Sequence, residues 1–199
     1  DFDSGISESN LTSFASLDVF VLKIDSLGQH IWSKSFECSS AAYTYGMATD
    51  QNSNYYFTGA FQGTLDANPS ASSALLTSNG DWDIFALGLD SNGDYLWGNS
   101  FGSSDGERSN GICVGPSNKI YITGYVGQLV DFDPGIGTNY LNTTGDLAMF
   151  LLSLDQFGAF NWAEVIGSEL GRGSGMGITT DIVENIYMCG SFGGSLEIS

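Results

Sequence analysis

Short runs of apolar residues, bounded by glycine, asparagine, aspartate and serine, follow one another along the chain. No segment keeps the 3.6-residue apolar period of an amphipathic helix, and short runs with such boundaries are typical of β-strands. In DIFALGLD, at 83–90, successive residues alternate between the two faces of a strand, and both faces carry apolar side chains. The pattern therefore predicts an all-β protein whose sheets are covered on both sides.

The same pattern returns with a period of 65 residues, which one inserted residue lengthens to 66 before the last copies of the second and third segments below. One segment occurs as KIDSLGQHIW, GLDSNGDYLW and SLDQFGAFNW, starting at 23, 88 and 153. A second occurs as NYYFTG, KIYITG and NIYMCG, starting at 54, 119 and 185, and a third as DFDSG, DANPS, DFDPG and EIS, starting at 1, 66, 131 and 197. Such self-similarity indicates one repeat array, with repeats of about 1–65, 66–130 and 131–196 and the start of a fourth at 197–199.

A fixed period and doubly covered sheets favour a β-propeller, in which each blade packs between two neighbours. A β-helix is the alternative, but 65 residues is long for one coil. Each period is expected to hold four antiparallel strands, near 110–115, 119–126, 83–90 and 94–101 in the middle of the chain. The long stretch between the second and third strand types is expected to add a ribbon or a decorated loop. Because propellers typically have four to eight blades, we expect part of a larger ring, completed by a longer chain or by identical subunits.

The segment LDSNGDYLW, at 89–97, has the spacing of either a calcium loop or a hairpin turn. Asp90, Asn92 and Asp94 alternate as calcium ligands do. In the other two copies, the second of these positions is leucine or phenylalanine, and the third is glutamine or alanine. Of the possible ligand spacing, only Asp-x-x-Gly therefore persists. An aspartate that bonds back to the turn and a glycine with positive φ predict a hairpin turn in every repeat.

The succession GICV, NKIYITGY, VDFDPG, LNTTGD and FLLSLDQFGAFNW resembles the bacterial β-propeller repeats known as SBBP, and more distantly NHL-type repeats. The resemblance covers essentially the whole chain. It implies a multi-bladed propeller in a secreted or cell-surface bacterial protein, without a shared catalytic motif. The third copy departs most from the pattern, with Ala148 in place of Asp83 and Ile166 in place of Phe101, so a less regular blade is expected there.

The net charge of the chain argues against two classes of partner, nucleic acids and anionic membranes. The chain has 23 acidic and 5 basic residues and a formal net charge of -18. Nucleic acid binding needs a basic face, and an anionic membrane surface would repel this protein. We therefore expect neither a nucleic acid partner nor membrane insertion. The acidic excess fits calcium binding, solubility at high salt or a hydrated acidic surface.

The DFD motif carries the candidate calcium ligands. They are Asp1, Asp3, Asp66, Asn68, Asp131 and Asp133. Side chains at i and i+2 of a strand lie on one side, and the bend that follows at Pro134 and Gly135 could turn carbonyl oxygens toward Ca2+. The alternative is a polar strand end, at which aspartate accepts hydrogen bonds from backbone N–H groups. Calcium is the one cofactor that the sequence suggests.

No enzyme is predicted. His30 is the only histidine, which argues against a zinc site or a Ser-His-Asp triad, and carboxylate pairs that recur in every blade indicate a scaffold. Trp32, Trp97 and Trp162 recur in every repeat and are expected to pack between blades. Trp82 has no tryptophan counterpart, which makes it the candidate contact for a protein or glycan.

Three functions are compatible with these observations. The first is a non-enzymatic propeller scaffold of a secreted or cell-surface bacterial protein, which acts in adhesion or protein–protein interaction through its faces and loops. The second is a carbohydrate-binding module of a polysaccharide-processing surface protein. The third is a calcium-stabilised structural spacer.

Overall fold

The computed structural model describes residues 10–143, 147–167, 172–194 and 196. These residues form 16 β-strands and no helix, which confirms the all-β prediction. The strands are β1 Val19–Ile24, β2 His30–Phe36, β3 Ala41–Thr49, β4 Tyr55–Gln62, β5 Thr64–Asp66, β6 Leu75–Thr77, β7 Asp83–Leu89, β8 Tyr95–Phe101, β9 Arg108–Val114, β10 Ile120–Val126, β11 Val130–Asp131, β12 Tyr140–Leu141, β13 Ala148–Leu154, β14 Phe160–Ile166, β15 Arg172–Thr180 and β16 Ile186–Gly193. Within the same residues, no helix has the length and apolar character that a membrane crossing requires.

Two complete blades stand in the middle of the chain. Each is a four-stranded antiparallel sheet, in the order β3-β4-β7-β8 for one and β9-β10-β13-β14 for the other. Strands β3, β9 and β15 contact one another in turn and are the inner strands, while β8 and β14 are the outer ones. The repeat spacing makes β1 and β2 the counterparts of β7 and β8, so they form an outer pair. It makes β15 and β16 the counterparts of β9 and β10, so they form an inner pair. The described strands are consistent with propeller blades and do not close a ring.

The apolar cores lie between successive blades. Every residue of β7 is buried. Its side chains alternate between two clusters, so that Phe85 and Leu87 pack with residues of β1 and β2, whereas Ile84 and Ala86 pack with residues of the next blade. This arrangement confirms the predicted sheet that is covered on both sides. It also follows from the strand pleat, which points successive side chains to opposite faces.

A small antiparallel ribbon joins the second and third strands of each complete blade, as the sequence predicted. Strands β5 and β6 form the first ribbon, and β11 and β12 form the second. Leu65 and Val130, one from each ribbon, are fully buried. The ribbons therefore help to cover the cores between the blades.

The blade that contains the third sequence copy is as regular as its neighbour, so the expectation of a less regular blade was wrong. Strands β13 and β14 pair in the same register as β7 and β8, which lie one period earlier. In both pairs the register shifts at the equivalent residue. Ala148 and Ile166, the two departures from the pattern, are both apolar. Because strand pairing uses backbone groups, these side-chain changes leave the ladder intact.

The Asp-x-x-Gly segments form hairpin turns, as predicted. The Oδ1 of Asp90 accepts hydrogen bonds from the backbone N–H groups of Asn92 and Asp94, at 2.8 and 2.9 Å. Gly93 has a φ of 79°, the left-handed conformation that favours glycine. The two other copies, which start at Asp25 and Asp155, repeat these contacts.

The turns that start at Asp90 and Asp155 also contact the blade before them. The indole N–H of Trp97, on β8, donates to the carbonyl oxygen of Gln156 in the next blade at 3.0 Å. One period earlier, Lys23 donates to the equivalent carbonyl, that of Ser91, at 3.1 Å, and the indole N–H of Trp32 is buried without a partner. Trp97 and Trp32 thus pack between blades, as predicted, but with different hydrogen bonding.

Candidate functional site

The non-repeated Trp82 lies next to two tyrosines of the inner strand β3. The ring centroids of Trp82 and Tyr43 are 5.4 Å apart, and the rings are tilted by 41°. Tyr43 and Tyr45 stack with a centroid distance of 6.2 Å and an interplanar angle of 23°. The two tyrosines are 39% and 38% exposed, so this aromatic surface is open to solvent.

An arginine of the next blade completes this surface. Arg108 is the first residue of β9, and its Cζ atom lies 4.5 Å from the centroid of the Tyr45 ring. A guanidinium at this distance is attracted by the ring's negative face. Burial raises the pKa of Tyr45, with the charge of Arg108 acting in the opposite direction. We call Tyr43, Tyr45, Trp82 and Arg108 the aromatic patch.

A β-bulge accounts for the position of Tyr45. The pairing of β3 with β4 shifts between Thr44 and Gly46, which leaves Tyr45 as the extra residue. A bulge redirects a side chain and increases the local twist. The same shift makes Asn110 the extra residue of β9 and Met176 that of β15. Each inner strand therefore offers one bulged residue at an equivalent place, and on β3 this residue is aromatic.

A glycine on the second strand permits each bulge. Gly59 pairs with Thr44, and a Cβ atom at Gly59 would lie 1.8 Å from the carbonyl oxygen of Tyr43. The equivalent distance is 1.9 Å from Gly124 to the carbonyl oxygen of Arg108. Backbone thus approaches backbone directly behind two residues of the aromatic patch.

Hydrogen bonds hold the segment around Trp82. The carbonyl oxygen of Trp82 accepts the backbone N–H of Glu107 at 2.7 Å, which ties this segment to the connection between the two blades. The preceding residue, Asp81, accepts a hydrogen bond from the side-chain amide of Gln62, at the end of β4. Trp82 is therefore fixed on two sides.

Two buried carboxyl groups adjoin the aromatic patch along the chain. Asp83 follows Trp82, Glu107 precedes Arg108, and both side chains are fully buried. Glu107 accepts two hydrogen bonds from Ser103, from the backbone N–H at 2.8 Å and from the hydroxyl at 2.6 Å. Burial raises the pKa of both carboxyl groups, and the charge of Asp83 raises that of Glu107 further.

The candidate calcium ligands of the first ribbon contact backbone amides. The Oδ1 of Asp66 accepts hydrogen bonds from the N–H groups of Asn68 and Ala74, at 3.0 and 2.9 Å. The Oδ1 of Asn68 accepts the N–H of Ser70 at 3.0 Å. These contacts close the loop between β5 and β6.

The second ribbon repeats this arrangement. The Oδ1 of Asp131 accepts the N–H groups of Asp133 and Asn139, at 3.1 and 2.7 Å, and the Oδ1 of Asp133 accepts that of Gly135 at 2.8 Å. Asp1 and Asp3 lie outside the described residues. The described part of the chain, including both ribbons, has no group of three or more His, Cys, Asp or Glu side chains placed to hold a metal ion. The contacts are those of the alternative role, backbone capping, and calcium binding stays a prediction.

The comparison with known proteins reveals a distant likeness. No family model matches the chain. Over 211 aligned residues, the chain is 25% identical to an uncharacterized WD repeat-containing protein of Acanthamoeba polyphaga mimivirus. The blades and this likeness together indicate a β-propeller-type repeat protein. The alignment covers 96% of the chain, which spans only 15% of the length of that relative. The finer resemblance, to SBBP repeats, stays a prediction.

Sequence reasoning found Trp82 but missed its three neighbours in the patch. The signal that singled out Trp82 was the absence of a tryptophan at the equivalent repeat positions. The same signal is present on the inner strands, where Tyr43 corresponds to Arg108 and then to Ser174. Inner-strand positions that differ between repeats would therefore have pointed to the aromatic patch.

Proposed function

We propose that the chain is part of a non-enzymatic β-propeller scaffold that binds a protein partner through the aromatic patch. The observation that carries the proposal is the meeting of exposed tyrosines, a tryptophan and an arginine from two blades. Tryptophan, tyrosine and arginine are enriched among the few residues that supply most of the binding energy at protein interfaces. The distant likeness to a WD repeat-containing protein supports a propeller-type scaffold of this kind.

The acidic charge of the chain favours a partner with a basic surface. Five basic residues face 23 acidic ones. Lys34 and Lys119 form ion pairs with Asp94 and Glu184, at 3.5 and 3.9 Å, and Arg108 lies over an aromatic ring. The surface is therefore strongly acidic, and we propose a partner with a basic surface that docks its planar or apolar groups on the patch. Binding through such complementary charges weakens as salt increases.

The wider setting of this scaffold is also a proposal. The resemblance to bacterial SBBP repeats supports a secreted or cell-surface location and a role in adhesion. Strand β16 is largely exposed, although its counterparts β4 and β10 are largely buried. We propose that strands of a further blade cover β16 and that they belong to a longer chain or to an identical subunit.

Replacing Trp82 with alanine is expected to weaken partner binding by at least about thirtyfold, the loss of roughly 2 kcal/mol that defines an interface hot spot. Peptides are first selected from a displayed random library for binding to the wild-type chain. The measurement is the affinity of these peptides for the wild type and for Trp82→Ala. Selected peptides are expected to be rich in lysine and arginine. Tyr140→Ala serves as the matched control, because Tyr140 is a 59% exposed tyrosine on β12, outside the patch.

Equal peptide affinity of the wild type and Trp82→Ala would contradict the proposed site. Binding to glycans on an array, lost in Trp82→Ala and kept in Tyr140→Ala, would instead support the carbohydrate-binding alternative. Melting curves of both variants show whether each is folded before its binding is compared.

A further inference from the structure

The buried pair of Asp83 and Glu107 has no counterpart at the neighbouring blade junctions. The equivalent residues are Asp18 and Ala42 at the junction before it, and Ala148 and Gly173 at the junction after it. In all three junctions the second residue donates its backbone N–H to the carbonyl oxygen of the residue that precedes the first, at 3.0, 2.7 and 2.9 Å. The backbone geometry is therefore shared, and only one of the described junctions buries two carboxyl groups.

Glu107 accepts a backbone hydrogen bond whose equivalent, at the junction before it, is accepted by Asp18. Asp18 accepts the backbone N–H of Phe14 on Oδ2 and that of Cys38 on Oδ1, at 2.6 and 2.9 Å. Asp83 keeps the first of these contacts, from the N–H of Asn79 at 3.0 Å.

The second contact goes elsewhere. Ser103 occupies the position of Cys38 but donates its N–H to Glu107. The Oδ1 of Asp83 is consequently buried without a hydrogen-bond partner. A buried acceptor in this state costs free energy unless a donor reaches it.

In the described part of the chain, no cationic side chain forms an ion pair with either carboxyl group. Neither ion pair among the described residues includes Asp83 or Glu107. The charged groups on the elements around them are Asp81 on the segment before β7, Asp105 on the connection to β9, and Arg108 on β9. Asp105 adds to the rise in the pKa of Glu107, and the guanidinium of Arg108 lies over Tyr45. Two buried negative charges without a counter-ion are strongly unfavourable, so one of them has to be neutralised.

We propose that Asp83 and Glu107 hold one proton between them at neutral pH, so that the buried pair carries a single negative charge. The packing favours a proton over a metal ion. A Cβ atom at Gly102 would fall 2.1 to 2.5 Å from the carboxyl atoms of Asp83, so backbone lies directly against this group. Calcium would need six to eight oxygen ligands in the same space.

The shared proton makes the blade junction sensitive to pH. A carboxyl group whose pKa is raised in the folded state stabilises the fold fully below its unfolded pKa, about 4, and loses this contribution as pH rises through the folded pKa. Loss of the proton leaves two repelling carboxylates between the segment of Trp82 and the connection that carries Arg108. We expect the aromatic patch to loosen at alkaline pH, a consequence that rests on the proposed function.

Melting temperature between pH 5 and pH 8, measured in EDTA, tests the shared proton without any partner. Glu107→Gln removes one of the two buried charges, and its side-chain oxygen can still accept a hydrogen bond from Ser103. This variant is expected to melt above the wild type, with a gap that grows with pH to about 3 °C or more at pH 8. Glu107→Ala copies Ala42, frees the N–H of Ser103 for Asp83, and is expected to show the same trend. Glu164→Gln, on an exposed position of β14, controls for the change in net charge.

The proposal would be overturned if the difference in melting temperature between Glu107→Gln and the wild type did not change with pH. It would also be overturned if Glu164→Gln showed the same difference. Lower stability of both Glu107 variants at every pH would overturn it too, because the ionised pair would then be favourable. A rise in wild-type melting temperature on adding Ca2+, absent in Glu107→Gln, would replace the proton with a cation. None of these outcomes depends on peptide binding, so failure of the aromatic patch as a binding site is a separate result.

Discussion

Replacing Gly124 with alanine is expected to lower the free energy of unfolding by about 3 kcal/mol or more, which is a fall of roughly 6 °C or more in melting temperature. The added Cβ atom would lie 1.9 Å from the carbonyl oxygen of Arg108. Because this oxygen belongs to the backbone, no side-chain rotation relieves the clash, and β9 has to shift against β10. Thermal melting of the purified variant measures the effect.

Gly193→Ala is the matched control for this prediction. Gly193 lies at the end of β16, and a Cβ atom there would meet nothing within 4 Å. Its replacement is expected to leave the melting temperature nearly unchanged. If both variants melt like the wild type, the close approach behind the bulge does not exist. Gly124→Ala should also weaken peptide binding, since the displaced backbone carries Arg108.

The second large effect is expected for Trp97→Ala, at about 3 to 5 kcal/mol, the usual cost of removing a buried aromatic side chain. Trp97 is only 8% exposed and stacks on Tyr56 with a centroid distance of 6.0 Å. Its indole also bonds to the next blade through Gln156. The variant therefore loosens one blade from its neighbour, and a fall in melting temperature of roughly 6 to 20 °C is expected.

A pair of milder variants separates the hydrogen bond from the packing. Trp97→Phe leaves the Gln156 carbonyl without its donor and is expected to cost at least about 1 kcal/mol more than Trp32→Phe. Trp32→Phe removes an indole N–H that is buried without a partner, so no hydrogen bond is lost. Equal costs of the two substitutions would show that the inter-blade hydrogen bond contributes nothing to stability.

The blades could be predicted because each strand has counterparts at fixed spacing that repeat the same alternation. In β7, Phe85 and Ile84 enter different cores, as a strand covered on both sides requires. The hairpin turns could be predicted because all three copies retain Asp-x-x-Gly between two apolar runs, whereas the other calcium-ligand positions vary. Both inferences rest on what is common to the repeats.

The candidate site depends on what differs between the repeats, and sequence reasoning therefore reached only one of its residues. Tyr45 belongs to the patch because a bulge in β3 displaces it, and a bulge is a property of two paired strands. Arg108 belongs to it because β9 lies beside β3, and the sequence alone does not reveal which strand type is innermost. Trp82 could be singled out without knowing either fact.

The position of the strand pairs has a consequence for how such arrays can change in length. The segment from β1 to β4 supplies the outer half of one blade and the inner half of the next, and the segment from β7 to β10 does the same. One such unit therefore links two adjacent blades covalently. Duplicating or deleting one unit in the gene would change the ring by one whole blade and leave the same kinds of free edges. Blade number can thus vary between related chains in single steps, without an intermediate that exposes a new type of edge.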